Sequence, residues 1–289
     1  MTMRSREDRR DEGGARMAVL HPVGAAEPRA RGGRTGPIFA FAFVIVAVLA
    51  IAGASSAQGA AEGPEGWIEV LIRWAPLLLS GFAFNILISV FAMALGTIAG
   101  AALGLAMLSE TMPISKAAIL VMQFFRNSPW LVLLFFVMFL VPFETTIFGV
   151  TIPLPGWVKA VVGFSLPVMA NVAEIVRGAV KSLPATQWEA AESLAFTRRQ
   201  TMWMIILPQC LRRMLPPWMN LYSLVTMATV LASIVGVSEM LTLTSEVHAA
   251  EGGRPELFAP LYGFALLCFF LYCYPIGRLT IYLERRMHV

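Results

Sequence analysis

From Pro76 to Leu108 the chain runs without a single charged side chain. Lipid offers the backbone no hydrogen-bond partner, so a stretch of this kind must close its own bonds as a helix. A bilayer crossing needs about 20 residues of helix. The run is longer than that, which predicts a membrane helix that tilts or extends past the bilayer. Further apolar runs follow at Ala117–Val141, Trp157–Val180, about Trp218–Val235 and Leu257–Tyr282, and another precedes at Pro37–Ala57. The pattern is that of an all-α integral membrane protein. A composition of 57% hydrophobic and 14% charged residues agrees, being poor in charge for a soluble domain.

The segments between the runs set the orientation. Residues 1–36 are polar and rich in Gly, Pro and Arg, and read as a disordered tail. Their arginines outnumber their acids, which favours the cytoplasmic side. The run at 37–57 reads as an uncleaved N-terminal transmembrane helix, with 58–75 as an external linker. A signal peptide is the alternative, since Ala54-Ser55-Ser56-Ala57 resembles a small-residue cleavage site. Residues 76–286 then form the main transmembrane domain. Ser109–Lys116 is a short polar turn, Phe143–Pro155 an external loop, and Gly236–Glu256 an outer segment that partly re-enters the membrane. Arg198, Arg199, Arg212, Arg213, Arg285 and Arg286 fall on one side of this scheme, and little beyond Arg73 and Arg254 on the other. Six helices with both termini cytoplasmic satisfy that bias.

Within the spans a few residues stand out. Gly96, Gly100 and Gly104 recur every four residues on one helix face, where small residues let a second backbone approach. Arg126-Asn127-Ser128-Pro129 interrupts an apolar run. A charge there is costly unless it faces protein or water, so Arg126 is either a path-lining residue or a helix-end anchor. Glu174 and Arg177 lie one helical turn apart and can pair.

Several function classes are excluded. A pI near 9.2 raises nucleic acid, but the basic residues sit between apolar runs and no aromatic residues interleave a basic groove. Cys210, Cys268 and Cys273 have no metal-like spacing to His21, His248 or His288, so no metal site and no disulfide framework is expected. The phosphate-cradling loop needs Gly directly before Lys, whereas Lys116, Lys159 and Lys181 follow Ser115, Val158 and Val180. No G-x-S-x-G or H-E-x-x-H motif appears, so no catalytic residue is expected and an intramembrane enzyme is disfavoured. A secondary transporter should show internal repeats, and none is convincing.

The longest polar interruption after Glu69 is Ser182–Pro217. Pro184 suits a first helical turn. Glu189, Ala190, Ala191, Leu194 and Ala195 then make a smooth face of small and apolar side chains. A second helical segment is expected from about Thr197 and should end before Pro208.

This stretch resembles the cytoplasmic EAA loop of ABC transporter permeases, the membrane subunits of binding-protein-dependent importers. Glu189-Ala190-Ala191 and Leu207-Pro208-Gln209 carry the likeness. Ala173–Gly178, Ser182-Leu183-Pro184, Leu215-Pro216-Pro217, Gly236–Glu239 and Phe125–Pro129 are similar to the polar amino acid branch. The likeness covers roughly Trp74 to Arg286. It implies a type I importer permease fold with a five-helix core, to which 37–57 is an addition, in a bacterial inner membrane. It also implies an ATPase subunit dimer that receives Glu189, Ala190, Ala191, Leu194 and Ala195, and that holds the ATP and Mg, this chain having no cofactor. A second permease chain and a periplasmic solute-binding protein complete the assembly.

The departures bear on geometry and substrate. Ala195 stands where the family commonly has Gly. Asn171 stands where many members have Tyr, and Met227, Ala228, Thr229 and Val230 where they have Lys-Asp-Thr-Ser. Arg126, Asn171, Thr226, Met227, Thr229 and Glu239 are the expected path residues. The solute implied is an amino acid, with an opine or a betaine-like compound as alternatives. The loss of Lys and Asp makes a non-identical second permease the expected partner.

Overall fold

The computed structural model describes residues 66–147 and 150–287, so the tail and the apolar run at 37–57 lie outside the described residues. Helix α1 spans Trp67–Met107 and passes through Pro76 without a break. The end of the expected linker, from Trp67 to Ala75, is therefore helix, because its apolar side chains continue the membrane run. Helix α2 (Met112–Asn127) and α3 (Trp130–Leu140) meet at a 104° bend. Pro129 cannot continue α2. At the break, Asn127 Nδ2 donates to Gln123 O at 2.8 Å and Ser128 Oγ to Phe124 O at 2.7 Å, which satisfies carbonyls freed at the end of α2.

The loop after α3 forms a hairpin of β1 (Glu144–Ile147) and β2 (Val150–Pro153), antiparallel with Glu144 opposite Pro153. Helix α4 spans Gly156–Lys181 and α5 spans Ala185–Ser193. Buried Lys159 of α4 points its ammonium at the Phe143 ring, 3.2 Å from the centroid, and so ties the base of the hairpin to α4.

The rod Arg198–Val235, here α6, corrects the expectation that helix stops before Pro208. Residues Thr201–Ile206 form a π turn, and the Leu207 N–H reaches back to Met202 O. A proline removes one N–H and crowds the preceding turn; the wider π turn makes room for it, and the helix continues. It then runs through Pro216 and Pro217 and ends as a 3₁₀ stretch, Thr229–Val235, at Gly236, whose φ of +80° is left-handed. The segment after Gly236 holds a short helix, α7 (Met240–Ala250), and α8 spans Pro255–Met287.

Among the described residues, α1, α4, α6 and α8 are each long and apolar enough to cross a membrane, and the bent pair α2–α3 makes a fifth candidate. The packing between α1 and α4 is set by the three glycines. A Cβ on Gly96 would lie 2.4 Å from Val168 Cγ1, on Gly100 2.6 Å from Met169 O, and on Gly104 2.9 Å from Ala173 O. Carbon contacts are otherwise optimal near 3.5–4.0 Å, so these helices meet backbone to backbone. Around that seam, Ile88, Phe164, Val168 and Val225 form a buried core shared by α1, α4 and α6. Trp218 Nε1 donates to Thr97 Oγ1 at 2.9 Å and ties α6 to α1.

The outside is as apolar as the inside. Ile98, Leu120 and Phe139 are largely exposed, while Asn85, Thr226, Thr229 and Glu239 are buried. That inversion is what lipid requires: apolar side chains face out, and polar groups find partners within the chain.

Candidate functional site

Two surfaces gather the residues singled out in the sequence. The first is α5 and its turn. Pro184 is the N-cap rather than part of the first turn, and the helix follows from Ala185. One side of α5 rests on the chain. Leu183, Ile206 and Cys210 are buried there, with Trp188 and Met202 packed against them. The Arg198 guanidinium lies 5.5 Å from the centre of the Trp188 ring, and Gln187 Nε2 donates to Gln209 Oε1 at 3.1 Å.

The other side of α5 is free. Glu189, Ala190 and Ala195 are exposed, and Leu194 is 72% exposed, high for an apolar side chain at the end of a short helix. Ala191 departs from the expected face: its side chain is turned inward and only 2% exposed. On a helix this short the five positions cannot all point one way.

The turn after α5 is closed by two backbone bonds. Phe196 N donates to Ala191 O at 3.1 Å, and Ala195 N to Glu192 O at 2.9 Å. These are the paired bonds of a Schellman motif, whose central residue must be left-handed. Ala195 takes that conformation, with φ of +59°. The sharp turn expected of a Gly is thus kept by an Ala at the cost of strain. The next helix opens with a capping box missed in the sequence, although Thr197-Arg198-Arg199-Gln200 carries its spacing. Gln200 N donates to Thr197 Oγ1 at 3.3 Å and Thr197 N to Gln200 Oε1 at 2.8 Å.

The second surface is a cleft of about 390 Å³ beside the α2–α3 bend. Arg126 and Asn171, both expected on the path, line it together with Asn127, Trp130 and Asn220. Trp130 and Asn220 were not singled out, though Asn220 stands out as an amide within an apolar span. Arg126 Nη1 lies 3.8 Å from Glu174 Oε1, and Arg177 Nε donates to Glu174 Oε2 at 2.8 Å. The expected pairing of Glu174 with Arg177 is present, and Arg126 joins it while still reaching the cleft. Polar side chains on the outer surface of a span must meet water or protein, so this face does not look into lipid.

The other expected path residues do not line this cleft. Thr226, Thr229 and Glu239 are fully buried within the chain. Asn85 Nδ2 donates to Glu239 Oε2 at 2.8 Å and to Thr229 Oγ1 at 3.0 Å, and Met240 N donates to Asn85 Oδ1 at 3.0 Å. Thr242 N caps α7 on Glu239 Oε1 at 3.0 Å, while Thr226 Oγ1 donates to its own helix at Tyr222 O. These groups satisfy one another, which is why they are not on a wall. Met227 is 53% exposed and Ala228 packs against the core. Among the described residues no group of His, Cys, Asp and Glu could hold a metal ion.

Residues 96–289 match the family of binding-protein-dependent transport system inner membrane components. The chain belongs to that family. It is a permease of the ABC importer type, a transport subunit in the inner membrane. Among its relatives, the probable amino-acid ABC transporter permease YckA of Bacillus subtilis is 34% identical over 205 residues, 71% of this chain and 86% of that protein. The L-cystine transport system permease TcyB of the same organism is 29% identical over 76% of this chain and 91% of its own length. The Escherichia coli glutamine transport system permease GlnP is 29% identical over 74% and 94%. The fold of the permease is shared with an amino acid ABC transporter solved with histidines, at a TM-score of 0.65 and 22% identity, covering 78% of this chain and all of that one. A MetNI methionine ABC transporter in an inward-facing conformation superposes with a TM-score of 0.54 at 14% identity, over 78% of this chain and 99% of that one.

Proposed function

We propose that this permease conducts an amino acid, driven by ATP and Mg bound on a separate pair of ATPase subunits, with a periplasmic binding protein delivering the solute. The observation that carries the coupling part is α5 itself. It is short, fixed on its inner side, closed by a Schellman turn, and it presents Glu189, Ala190 and Leu194 with none of the described residues over them. A helix seated in an ATPase cleft moves as a rigid body, and its motion can open and close a path. The side that carries α5 and its arginines is then cytoplasmic, as are both termini, with 37–57 as a retained anchor and 58–66 outside.

Glu189→Lys and Leu194→Glu test the docking face. A misplaced buried charge at such an interface costs about 3–5 kcal/mol. Both variants should insert normally yet lose ATPase co-purification and solute-stimulated hydrolysis. Normal assembly and turnover in both would remove α5 from the interface.

The amino acid assignment draws on the relatives, whose names include cystine, glutamine and amino-acid permeases. The 390 Å³ cleft suits it, since Arg126 can meet a carboxylate and the Asn127, Asn171 and Asn220 amides can meet either end of a zwitterion. A thermal-shift screen of the partner binding protein decides the solute. A shift with an opine or a betaine, and with no amino acid, would replace this reading.

Met227 and Ala228 bear on the second permease. At the level where the family often places Lys and Asp this chain offers neither, and the neighbouring Thr226 and Thr229 hydroxyls are engaged internally. A non-identical permease supplying opposite charges completes such a path better than a second copy. ATP-driven zwitterion uptake by liposomes holding only this chain, its ATPase and its binding protein would refute that pairing.

A further inference from the structure

A second cleft is larger than the one beside the α2–α3 bend. It holds about 570 Å³ between the last turns of α4, the middle of α6 and the end of α8, well within the range of about 300–1,000 Å³ typical of small-molecule sites. It adjoins the smaller cleft, since Ile175 and Pro217 line both. Its walls carry one cation and one anion, Arg213 and Glu284. Arg213 Nη1 donates to Ser182 O at 3.1 Å and to Ser182 Oγ at 3.0 Å. It makes no ion pair with Glu284, and Glu284 has no ion-pair partner among the described residues. Opposite charges thus face one space without closing on each other.

A glycine bears on the same space. Gly178 lines the cleft in the last turns of α4, and a Cβ built there would meet nothing within 4 Å. Glycine weakens a helix relative to alanine, and Gly96, Gly100 and Gly104 offset that by close helix contact. Gly178 has no such contact among the described residues, and the space beside it stays open to the cleft.

We infer that this cleft is an exit site for the transported zwitterion, with Arg213 receiving the carboxylate and Glu284 the ammonium. It rests on the amino acid reading above. A cation held on Ser182 and an anion lining the same cleft favour a free α-amino acid over derivatives lacking either charge, since each derivative forgoes one charge-assisted contact. The two clefts are neighbours across Ile175 and Pro217, so the larger one offers the solute a second station on the side that carries α5. Occupied, the site slows release; empty, it lets the next solute descend.

The test is binding to the nucleotide-free complex with its ATPase in nanodiscs, followed by saturation-transfer NMR. The probes are an equimolar mixture of the common α-amino acids and matching mixtures of their amides and N-acetyl derivatives. Free amino acids should bind about ten- to hundredfold better than either derivative. Arg213→Gln should erase the preference over the amides, and Glu284→Gln the preference over the N-acetyl forms. Gly178→Leu should weaken binding of all three. The reversed pair, Arg213→Glu with Glu284→Arg, keeps both charges but loses the bond to Ser182, and should recover the zwitterion preference. Preferences unchanged in both single variants overturn the site, as does a reversed pair that fails to recover. Loss of a partner chain from Gly178→Leu with binding intact overturns it too, showing that protein fills the cleft. Uptake assays separate the two levels: no amino acid uptake by the intact complex sinks the substrate reading, whereas uptake with unaltered preferences sinks this site alone.

Discussion

Asn85 of α1 and Glu239 at the start of α7 meet at 2.8 Å, both wholly buried, and each spends its polar atoms on the other's surroundings. Asn85 also holds the Met240 N–H and the Thr229 hydroxyl, so a single amide joins three elements. The arrangement leaves little tolerance for change. Glu239→Gln turns an acceptor into a donor facing Asn85 Nδ2, and Asn85→Asp sets two carboxylates together. Each should destabilise the permease by about 1–3 kcal/mol, the cost of leaving a buried polar group unpaired. The double variant restores donor to acceptor and should regain part of the loss. Thermal unfolding of the detergent-solubilised chain checks it; strict additivity would show that the two residues do not interact.

Ala195 at φ +59° is the second site of interest. The left-handed conformation costs an L-residue about 1–2 kcal/mol, and glycine escapes that cost. Ala195→Gly should therefore stabilise the chain by about 1 kcal/mol, and Ala195→Val should loosen the turn and the ATPase contact together. Melting temperature and co-purification give the readout, and a destabilising glycine would count against a strained turn.

Glycine positions in the two helices should respond in opposite directions. Gly100→Ala puts a methyl 2.6 Å from Met169 O and forces α1 from α4, at a cost of about 1–3 kcal/mol. Gly178→Ala meets no atom within 4 Å and gains helix propensity, so the chain's stability should be equal or higher. Differential scanning of the two single variants decides between close packing and mere sequence preference.

Glu251 gives the end of α7 a pH response. The Trp74 indole N–H donates to it at 2.8 Å, and Arg73 and Arg254 add hydrogen bonds and charge. These outweigh desolvation and hold its carboxyl below the usual range near 4.5. A carboxylate with a lowered folded-state pKa stabilises above that range and loses its contribution as pH falls. The melting-temperature gap between wild type and Glu251→Gln should be full near neutrality and close as the pH drops below about 4.5. A gap constant with pH would detach α7 from this cluster.

The spans were legible because a bilayer imposes length and apolarity, and α5 because its residues stand in a family order. The glycine face was legible too, for Gly96, Gly100 and Gly104 share a period of four. What escaped depends on partners far along the chain. Glu239 reads as a lone acid near an apolar span, and nothing local reveals Asn85, 154 residues away, as its partner. Pro208 reads as a stop, since the neighbour rule for proline does not anticipate a π turn that absorbs it. Ala191 reads as one more small residue on the smooth face, and only the short helix and its tight turn show it facing inward.

The unbroken α6 has a mechanical consequence. A rod running from Arg198 beside α5 to Val235 near Glu239 has no loop in which displacement could dissipate. Beyond the π turn, a displacement near Arg198 has only continuous helix through which to reach Val235, and the Trp218–Thr97 bond ties that shaft to α1. The π turn at Thr201–Ile206 is the compliant section of that shaft, where missing or shifted backbone bonds let it flex first. Stiffening it would transmit the stroke harder; softening it would let the two faces of the membrane fall out of step.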